Sequence, residues 1–198
     1  SNSKSKSINL LLSEDVINTL KCLRKLGVKI KISKNFCEIN GVGLNGFKYR
    51  KNLTLDAGNS GTLGRLIMGL LIHSRGTIKL KGDNSLSKRD FLRIIKPLKK
   101  FGANFTSNSG KLPIKIRGTN NPKPIVYNET RGSAQVKSSV MLAALNTDGE
   151  TLIKAKKSRN HSELLFKYLK LPIKVIQKKN YDRIEIIGKY QFKYFNYI

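Results

Sequence analysis

Three stretches of the chain share one pattern, an amphipathic helix followed by two runs with strand character. The first predicted helix covers residues 15–25, with Val16, Leu20 and Leu23 on one side and lysines on the other, and it ends at Gly27. The two further predicted helices cover 87–101 and 161–169. The strands predicted after the helices cover 28–32 and 36–39, then a short extended run and 112–116, then 173–176 and 183–187. A helix–strand–strand block that returns after about 70 to 75 residues predicts a threefold repeat of supersecondary units.

The second and third units each open with a further predicted helix. It covers 62–73 in the second unit and 134–145 in the third, and predicted strands at 76–80 and 151–154 follow. When the two units are aligned, Gly61 matches Ser133 and Arg65 matches Lys137. Both helices then present a small capping region and a cation four residues later. We therefore expect two anion-facing helix starts directed into one place.

The first unit lacks this opening helix, because Ile8 leads directly into the segment before the first predicted helix. The repeat therefore predicts that roughly 20 residues are missing between Ile8 and Asn9. The segment is either omitted from the sequence or deleted from the protein, and we favour the omission.

The stretch from Asp56 to Arg65 carries small, turn-forming residues straight into an apolar run. Ser60 or Thr62 is placed to cap the helix that begins here, and Gly61 lets an anion approach the backbone closely. Arg65, about one turn into the helix, adds a forked donor for a carboxylate or a phosphate. Taken alone, the same pattern is more often a simple turn before a helix than an anion site.

Bulk composition narrows the class of protein. The sequence holds 39 lysines and arginines against 12 acidic residues, a net charge of +27, which is compatible with a nucleic-acid partner, with anionic small molecules or with mere compositional bias. The lysines are scattered and no nucleic-acid motif occurs, so we expect no nucleic acid. No apolar run reaches the length of a membrane span, so we expect no membrane partner. Cys22 and Cys37 have no metal-ligand spacing and are expected to be buried thiols in a reducing cytoplasm.

Four segments, in the same order, resemble the 5-enolpyruvylshikimate-3-phosphate (EPSP) synthase family, the 3-phosphoshikimate 1-carboxyvinyltransferases. The matching segments are Asp56-Ala57-Gly58-Asn59-Ser60-Gly61-Thr62-Leu63-Gly64-Arg65, Gly82-Asp83-Asn84-Ser85-Leu86-Ser87-Lys88-Arg89, Ser133-Ala134-Gln135-Val136-Lys137-Ser138 and Ser158-Arg159-Asn160-His161-Ser162-Glu163. Ser5-Lys6-Ser7-Ile8 looks like the start of a fifth segment, whose remainder is absent.

The resemblance implies an α/β (α+β) fold of the inverse kind, with βαβαββ units whose helices lie inside and whose small sheets lie outside. It covers one of the family's two domains, so we expect 1–198 to be one domain of three repeats: 1–54 (incomplete), 55–130 and 131–190. The stretch 188–198 resembles the chain just before it crosses to the second domain, which is absent here.

In the family, the enolpyruvyl group of phosphoenolpyruvate is transferred to the 5-hydroxyl of shikimate 3-phosphate, and phosphate is released. By resemblance, the residues that bind shikimate 3-phosphate are Ser7, Ser133, Ala134, Gln135 and Ser158. Those that bind phosphoenolpyruvate are Lys6, Gly61, Arg89 and Gln135. Possible supporting residues are Asn59, Thr62, Arg65, Lys137 and Arg159. Asp90 stands where family members often have proline, and its carboxylate weakens the positive field beside Arg89.

The family's carboxylate pair comes from the second domain, and no carboxylate here matches it. The resemblance therefore implies no catalytic residue in this chain, no metal, no cofactor and no turnover by the chain alone. One alternative is the enolpyruvyl transferase that acts on UDP-N-acetylglucosamine, which usually carries a reactive cysteine on a mobile loop. Neither Cys22 nor Cys37 is expected in such a loop. The other alternative is a basic nucleic-acid-binding module.

Overall fold

A computed structural model describes residues 2–34, 36–44 and 46–189 as three small sheets around buried helices. The unit that contains the first sheet consists of β1 (Lys4–Ile8), α1 (Glu14–Lys25), β2 (Lys29–Ile32) and β3 (Phe36–Asn40). The unit of the second sheet consists of β4 (Leu53–Asp56), α2 (Gly61–Leu70), β5 (Thr77–Lys81), α3 (Asn84–Ser87), α4 (Leu92–Lys100), β6 (Asn104–Asn108) and β7 (Lys111–Arg117). The unit of the third sheet consists of β8 (Val126–Glu129), α5 (Ala134–Leu145), β9 (Gly149–Lys156), α6 (His161–Tyr168), β10 (Ile173–Gln177) and β11 (Tyr181–Gly188).

The two four-stranded sheets have the same topology. Their orders are β4-β5-β7-β6 and β8-β9-β11-β10. In each, the first two strands run parallel, with the opening helix as the crossover between them, and the remaining pairings are antiparallel. This shared order supports the division into repeats. The predicted boundaries at 54 and 130 differ from the sheets, because β4 begins at Leu53 and β8 at Val126.

The strands keep one face toward the helices and the other toward solvent. Along β7, Leu112, Ile114 and Ile116 are buried, and the residues between them are exposed. This alternation is what a sheet with one covered face requires. The helices between the sheets contribute most of the remaining core, so the inverse α/β architecture expected from the sequence is confirmed.

α2 and α5 lie against each other at the centre of the core. α5 is buried at nine of its twelve positions, so it has no solvent-exposed face and its sequence shows no amphipathic pattern. Gly69 of α2 has no space for a side chain, because a Cβ there would overlap the backbone oxygen of Ser139. The Ser139 hydroxyl also donates to the carbonyl of Arg65 at 3.0 Å. Close backbone contact therefore fixes the two helices relative to each other.

The structure corrects two secondary-structure predictions. The single helix expected over 87–101 is instead α3 and α4, because the Asp90 carboxylate accepts a hydrogen bond from the Leu92 N–H at 2.6 Å and starts a new helix there. The short strands β1, β4 and β8 were missed; β1 has no buried position, and β4 and β8 have one each. The stretch predicted to precede the second domain lies outside the described residues from 190 onward.

We predict that Gly69→Ala destabilises the chain, although alanine favours a helix. The added methyl group has to displace the α5 backbone, so the free energy of unfolding should fall by about 1–3 kcal/mol. Urea denaturation measures the change. Gly64→Ala, on the same helix, is the control, because its Cβ would first meet the Phe91 ring at 3.4 Å. Equal stability of the two variants would contradict the close approach.

Candidate anion-binding site

The parallel strand pair β4–β5 brings two loops to one edge of the second sheet. Asp56 and Lys81, the last residues of the two strands, are opposite each other in the register, and their side chains form an ion pair at 2.8 Å. The hydrogen-bonded Lys81 ammonium holds the pKa of the Asp56 carboxyl below its ordinary value. Because parallel strands end at the same edge, the starts of α2 and α3 lie side by side.

Two hydrogen bonds tie the loops together. The Asn59 amide donates to Asp83 Oδ2 at 2.7 Å, and the Asp83 N–H donates to the Gly58 carbonyl at 2.9 Å. The second oxygen of Asp83 accepts from the Leu86 N–H and caps α3. Asn59 therefore shapes this turn, the role expected for it, by joining the turn to a helix cap.

The start of α2 lies between two guanidinium groups. Ser60 caps the helix by accepting from the Leu63 N–H at 3.1 Å, so Ser60 and not Thr62 is the cap. A Cβ on Gly61 would lie 2.8 Å from Nη1 of Arg65 and 3.2 Å from Nη1 of Arg89. The glycine backbone and the two cations therefore adjoin one small space.

Arg65 is 5% exposed and serves to position its neighbours. Its Nη1 donates to Gln135 Oε1 at 2.8 Å and to the Gly61 carbonyl at 3.4 Å, and its guanidinium lies over the Phe91 ring at 5.3 Å. Burial lowers the pKa of Arg65, and the charges of Arg93 and Arg89 lower it further. One nitrogen of the forked donor expected at Arg65, Nη1, is thus already engaged within the protein, whereas its buried Nε has no hydrogen-bond partner among the described residues.

The starts of α2 and α5 adjoin each other through Gln135. Its amide nitrogen donates to the Thr62 hydroxyl at 3.1 Å, and its oxygen accepts from Arg65. Ser133 caps α5 by accepting from the Val136 N–H at 3.4 Å, and Ala134 is the first helical residue. The sequence expectation of two helix starts directed into one place agrees with this arrangement.

The third sheet repeats the arrangement of the second. β8 leads to Ser133, and β9, parallel to it, leads to Ser158. A Cβ on Gly132 would lie 3.2 Å from the Lys157 carbonyl, so the two loops adjoin. The Ser158 hydroxyl oxygen is buried and has no hydrogen-bond partner among the described residues, whereas Arg159 is exposed. Ser158 therefore offers an unused polar atom beside the start of α5.

Lys137 differs from expectation. It is fully buried, and its ammonium lies 2.5 Å from Oε1 of Glu163 on α6. The hydroxyls of Ser138 and Ser162 join the same two helices at 2.6 Å. The charge of Lys137 is therefore neutralised in the core, and the prediction of a ligand-facing cation at this position is wrong.

Lys6 and Ser7 lie in β1, which is exposed along its whole length. β1 pairs antiparallel with β3, as β5 pairs with β7 and β9 pairs with β11, so β1 is the equivalent of β5 and β9. The family segment to which Lys6 and Ser7 were matched comes before an opening helix. Strands in that position are the equivalents of β4 and β8. The assignment of Lys6 and Ser7 to the site therefore conflicts with the topology. The same pairing removes the reason to expect a gap between Ile8 and Asn9.

Sequence reasoning missed two contributors to the site. Phe91 is fully buried and supports the Arg65 guanidinium, and Arg93 adds a third positive charge whose buried Nε has no hydrogen-bond partner in the described part of the chain. The sequence carried no positional signal for this pairing of charges, because Arg89 lies in the loop between α3 and α4 and shares no helix with Arg93.

Three arginines and two adjoining helix starts thus give this α/β domain a candidate site for phosphate or carboxylate groups. No group of His, Cys, Asp and Glu side chains in the described ranges is arranged to hold a metal ion. None of the described helices is both long and apolar enough to cross a bilayer.

Comparison with known proteins gives the same family for the whole chain. The family model for EPSP synthase (3-phosphoshikimate 1-carboxyvinyltransferase) matches residues 1–198. The 3-phosphoshikimate 1-carboxyvinyltransferase of Ruthia magnifica is 45% identical over 196 residues, which are 98% of this chain and 44% of that protein. The one from Streptococcus mutans is 41% identical over 165 residues, 82% of this chain and 38% of that protein. The EPSP synthase structure from Acinetobacter baumannii superposes with a TM-score of 0.86 at 34% identity, over 97% of this chain and 43% of that one.

The chain belongs to the EPSP synthase family. It spans about two fifths of the length of the curated relatives it matches.

We predict that Lys137→Met lowers the free energy of unfolding by about 3–5 kcal/mol, because it leaves the Glu163 charge buried without a partner. The double variant Lys137→Met/Glu163→Gln should recover much of that loss, as measured by urea denaturation. Lys174→Met is the matched control, since the side chain of Lys174 is 69% exposed and lies 3.7 Å from Glu185. A single variant as stable as the double variant would argue against the buried pair.

Proposed function

We propose that this chain supplies the shikimate 3-phosphate half-site and part of the phosphoenolpyruvate site for enolpyruvyl transfer to the 5-hydroxyl of shikimate 3-phosphate, with release of phosphate. One observation carries the proposal. The residues matched to the family's binding segments after β4, β5, β8 and β9 come together around two adjoining helix starts, although they are far apart in sequence.

The two anions divide between the two sides of Gln135. On one side, the Gly61 backbone and the Arg89 guanidinium receive phosphoenolpyruvate, and Arg65 holds Gln135 in place through a 2.8 Å hydrogen bond. On the other side, the hydroxyls of Ser133 and Ser158 and the free N–H groups of α5 receive the phosphate of shikimate 3-phosphate. Gln135 lies between and contacts both ligands.

The acid and base groups for the reaction come, in this proposal, from a second domain of the same enzyme. Closure of two domains over the ligands would expel water and strengthen every charge–charge interaction in the site. No carboxylate of this chain is assigned a proton-transfer role, so the chain alone should not release phosphate from the two substrates. No metal or other cofactor is required, and we place the enzyme in the cytoplasm.

The two alternatives make different predictions. A domain acting on UDP-N-acetylglucosamine would need its reactive cysteine exposed, whereas Cys22 and Cys37 are both buried free thiols, and burial raises the pKa of Cys22. A nucleic-acid module would bind random DNA with a steep dependence on salt. The convergence of small-residue helix starts on one compact cationic site favours a small anion over a polymer.

We predict saturable binding of shikimate 3-phosphate to the folded chain, measured by calorimetric titration with unphosphorylated shikimate as the control ligand. Ser158→Ala should weaken binding of shikimate 3-phosphate about tenfold, the effect of losing one hydrogen bond to a charged group. The same change should hardly alter stability, because the Ser158 hydroxyl has no partner among the described residues.

Ser107→Ala, in β6 of the second sheet, is the matched control for that serine and should bind normally. Equal binding of shikimate and shikimate 3-phosphate would refute the phosphate site. Tight, salt-sensitive DNA binding without a response to shikimate 3-phosphate would favour the nucleic-acid alternative.

We predict that Gly61→Ala weakens phosphoenolpyruvate binding about tenfold or more, because the methyl group displaces the Arg65 and Arg89 guanidiniums and blocks the backbone. Titration with phosphoenolpyruvate, in the presence of shikimate 3-phosphate, measures the effect. Gly76→Ala is the control, since its Cβ meets only the Lys51 Cα at 3.8 Å. Unchanged affinity in Gly61→Ala would remove Gly61 from the site.

A further inference from the structure

Of the ion pairs in the described ranges, that of Lys137 with Glu163 is the most deeply buried. The two side chains are 1% and 4% exposed, and Lys137 Nζ lies 2.5 Å from Glu163 Oε1. Neither the ammonium group nor the carboxylate has a hydrogen-bond partner elsewhere in the described chain. Such a pair recovers little of the free energy lost when two charges leave water, and apolar residues of similar volume are often equally stable in its place. Stability therefore does not explain this pair.

The second unit shows that the fold does not require charges at this position. Lys137 lies four residues after the cap of α5, and Gly64 lies four residues after the cap of α2. Glu163 lies three residues after the N-cap of α6, and Leu86 lies three residues after the N-cap of α3. A Cβ on Gly64 would lie 3.7 Å from Leu86 Cδ2, so the equivalent contact is apolar. The charged pair therefore has a role that is specific to the third unit.

The two units connect their helix starts in different ways. In the second unit the connection is between the loops, where the Asn59 amide donates to the carboxylate of Asp83, the cap of α3, at 2.7 Å. In the third unit Gly132 stands directly before the α5 cap, the position of Asn59, and has no side chain to donate. Asn160, at the start of α6, makes no side-chain cap hydrogen bond. The ion pair and the neighbouring pair of serine hydroxyls, 2.6 Å apart, connect α5 with α6 instead.

α6 is otherwise weakly attached to the domain. Of its eight residues, only Glu163 and Phe166 are buried. Phe166 packs in the main hydrophobic core, and an apolar contact of this kind is not directional. The ion pair is directional, because its two charged groups have to meet at hydrogen-bond distance. Glu163 therefore orients the start of α6 and, with it, residues 158–160 directly before the helix.

We infer that Lys137 and Glu163 are positioning residues for the phosphate side of the candidate site. Their ion pair holds the start of α6 against the start of α5. It thereby sets the separation of the Ser133 and Ser158 hydroxyls, which receive the phosphate of shikimate 3-phosphate. The inference rests on the proposed function for its ligand, whereas the connection between the two helices is a property of the chain alone.

The double variant Lys137→Met/Glu163→Leu tests the inference, because it replaces the ion pair by apolar side chains of similar volume. It should be at least as stable as the parent chain in urea denaturation. Amide hydrogen exchange along α6 should be about tenfold faster, since the start of the helix is no longer fixed. Shikimate 3-phosphate should bind about tenfold more weakly in calorimetric titration, the effect of misplacing one hydrogen bond to a charged group.

A matched control and a rescue variant accompany the test. Lys174→Met/Glu185→Leu removes the same two charges from an ion pair whose lysine is 69% exposed, and both α6 exchange and affinity should stay at the parental values. Lys137→Glu/Glu163→Lys restores opposite charges in exchanged positions and should bind shikimate 3-phosphate more tightly than the apolar variant. If the exchanged pair does not fold, the apolar variant still decides.

Three results separate the inference from the proposed function. Parental exchange along α6 and parental affinity in the apolar variant overturn the inference. A large loss of stability in that variant also overturns it, because the pair would then be needed for folding and not for positioning. If the parent chain binds shikimate 3-phosphate no better than shikimate, the proposed function fails, and the exchange of α6 alone decides whether the pair positions that helix.

Discussion

The parallel pairing of β4 with β5, and of β8 with β9, is the constraint on which the candidate site depends. Two parallel strands need a helical crossover and end at the same edge of the sheet. Each pair therefore delivers two loops, and two helix starts, to one place. The contact of α2 with α5 through Gly69 and Ser139 then brings the two sheets' edges together. A site made of four distant segments follows from this topology without any long-range sequence signal.

The electrostatics of the site follow from positive charge that acidic groups of the protein do not fully neutralise. Arg65 is buried beside Arg89 and Arg93, whose charges lower its pKa, and within the described ranges the charge of the Asp90 carboxylate acts in the opposite direction. Like charges held together in a poorly solvated place cost free energy unless hydrogen bonds and a bound anion offset it. Gln135 and the Phe91 ring supply part of that compensation within the protein. The remaining positive potential lies beside Gly61, where it is available to the anionic ligand proposed above.

The sequence was informative where the chemistry is local. Ser133 predicted the start of α5 correctly, because a cap hydroxyl and an apolar run identify a helix start within one turn. The repeat period also predicted that Gly61 matches Ser133, and this is wrong by one residue: Ser60 caps α2 as Ser133 caps α5, so Gly61 matches Ala134. Lys6 was misplaced because the sequence of a short polar strand does not show which strand it pairs with. The pairing of β1 with β3 decides which strand of the repeat β1 corresponds to. The burial of Lys137 was equally inaccessible, since its partner Glu163 lies on another helix.

The different environments of Arg65 and Lys137 show how a repeated fold acquires one asymmetric site. The two cations lie near the starts of equivalent helices but not at equivalent positions, because Arg65 is five residues after the cap of α2 and Lys137 is four residues after the cap of α5. Lys137 faces a carboxylate of its own unit and contributes no net charge, whereas Arg65 faces the amide of Gln135, which accepts a hydrogen bond but leaves the charge uncompensated. Positive potential is therefore concentrated at the start of α2, and the start of α5 offers mainly neutral hydroxyl and N–H donors. A site with one strongly cationic side and one neutral donor side is suited to two different anions bound next to each other. The arginines on the cationic side offset the repulsion between the two anions.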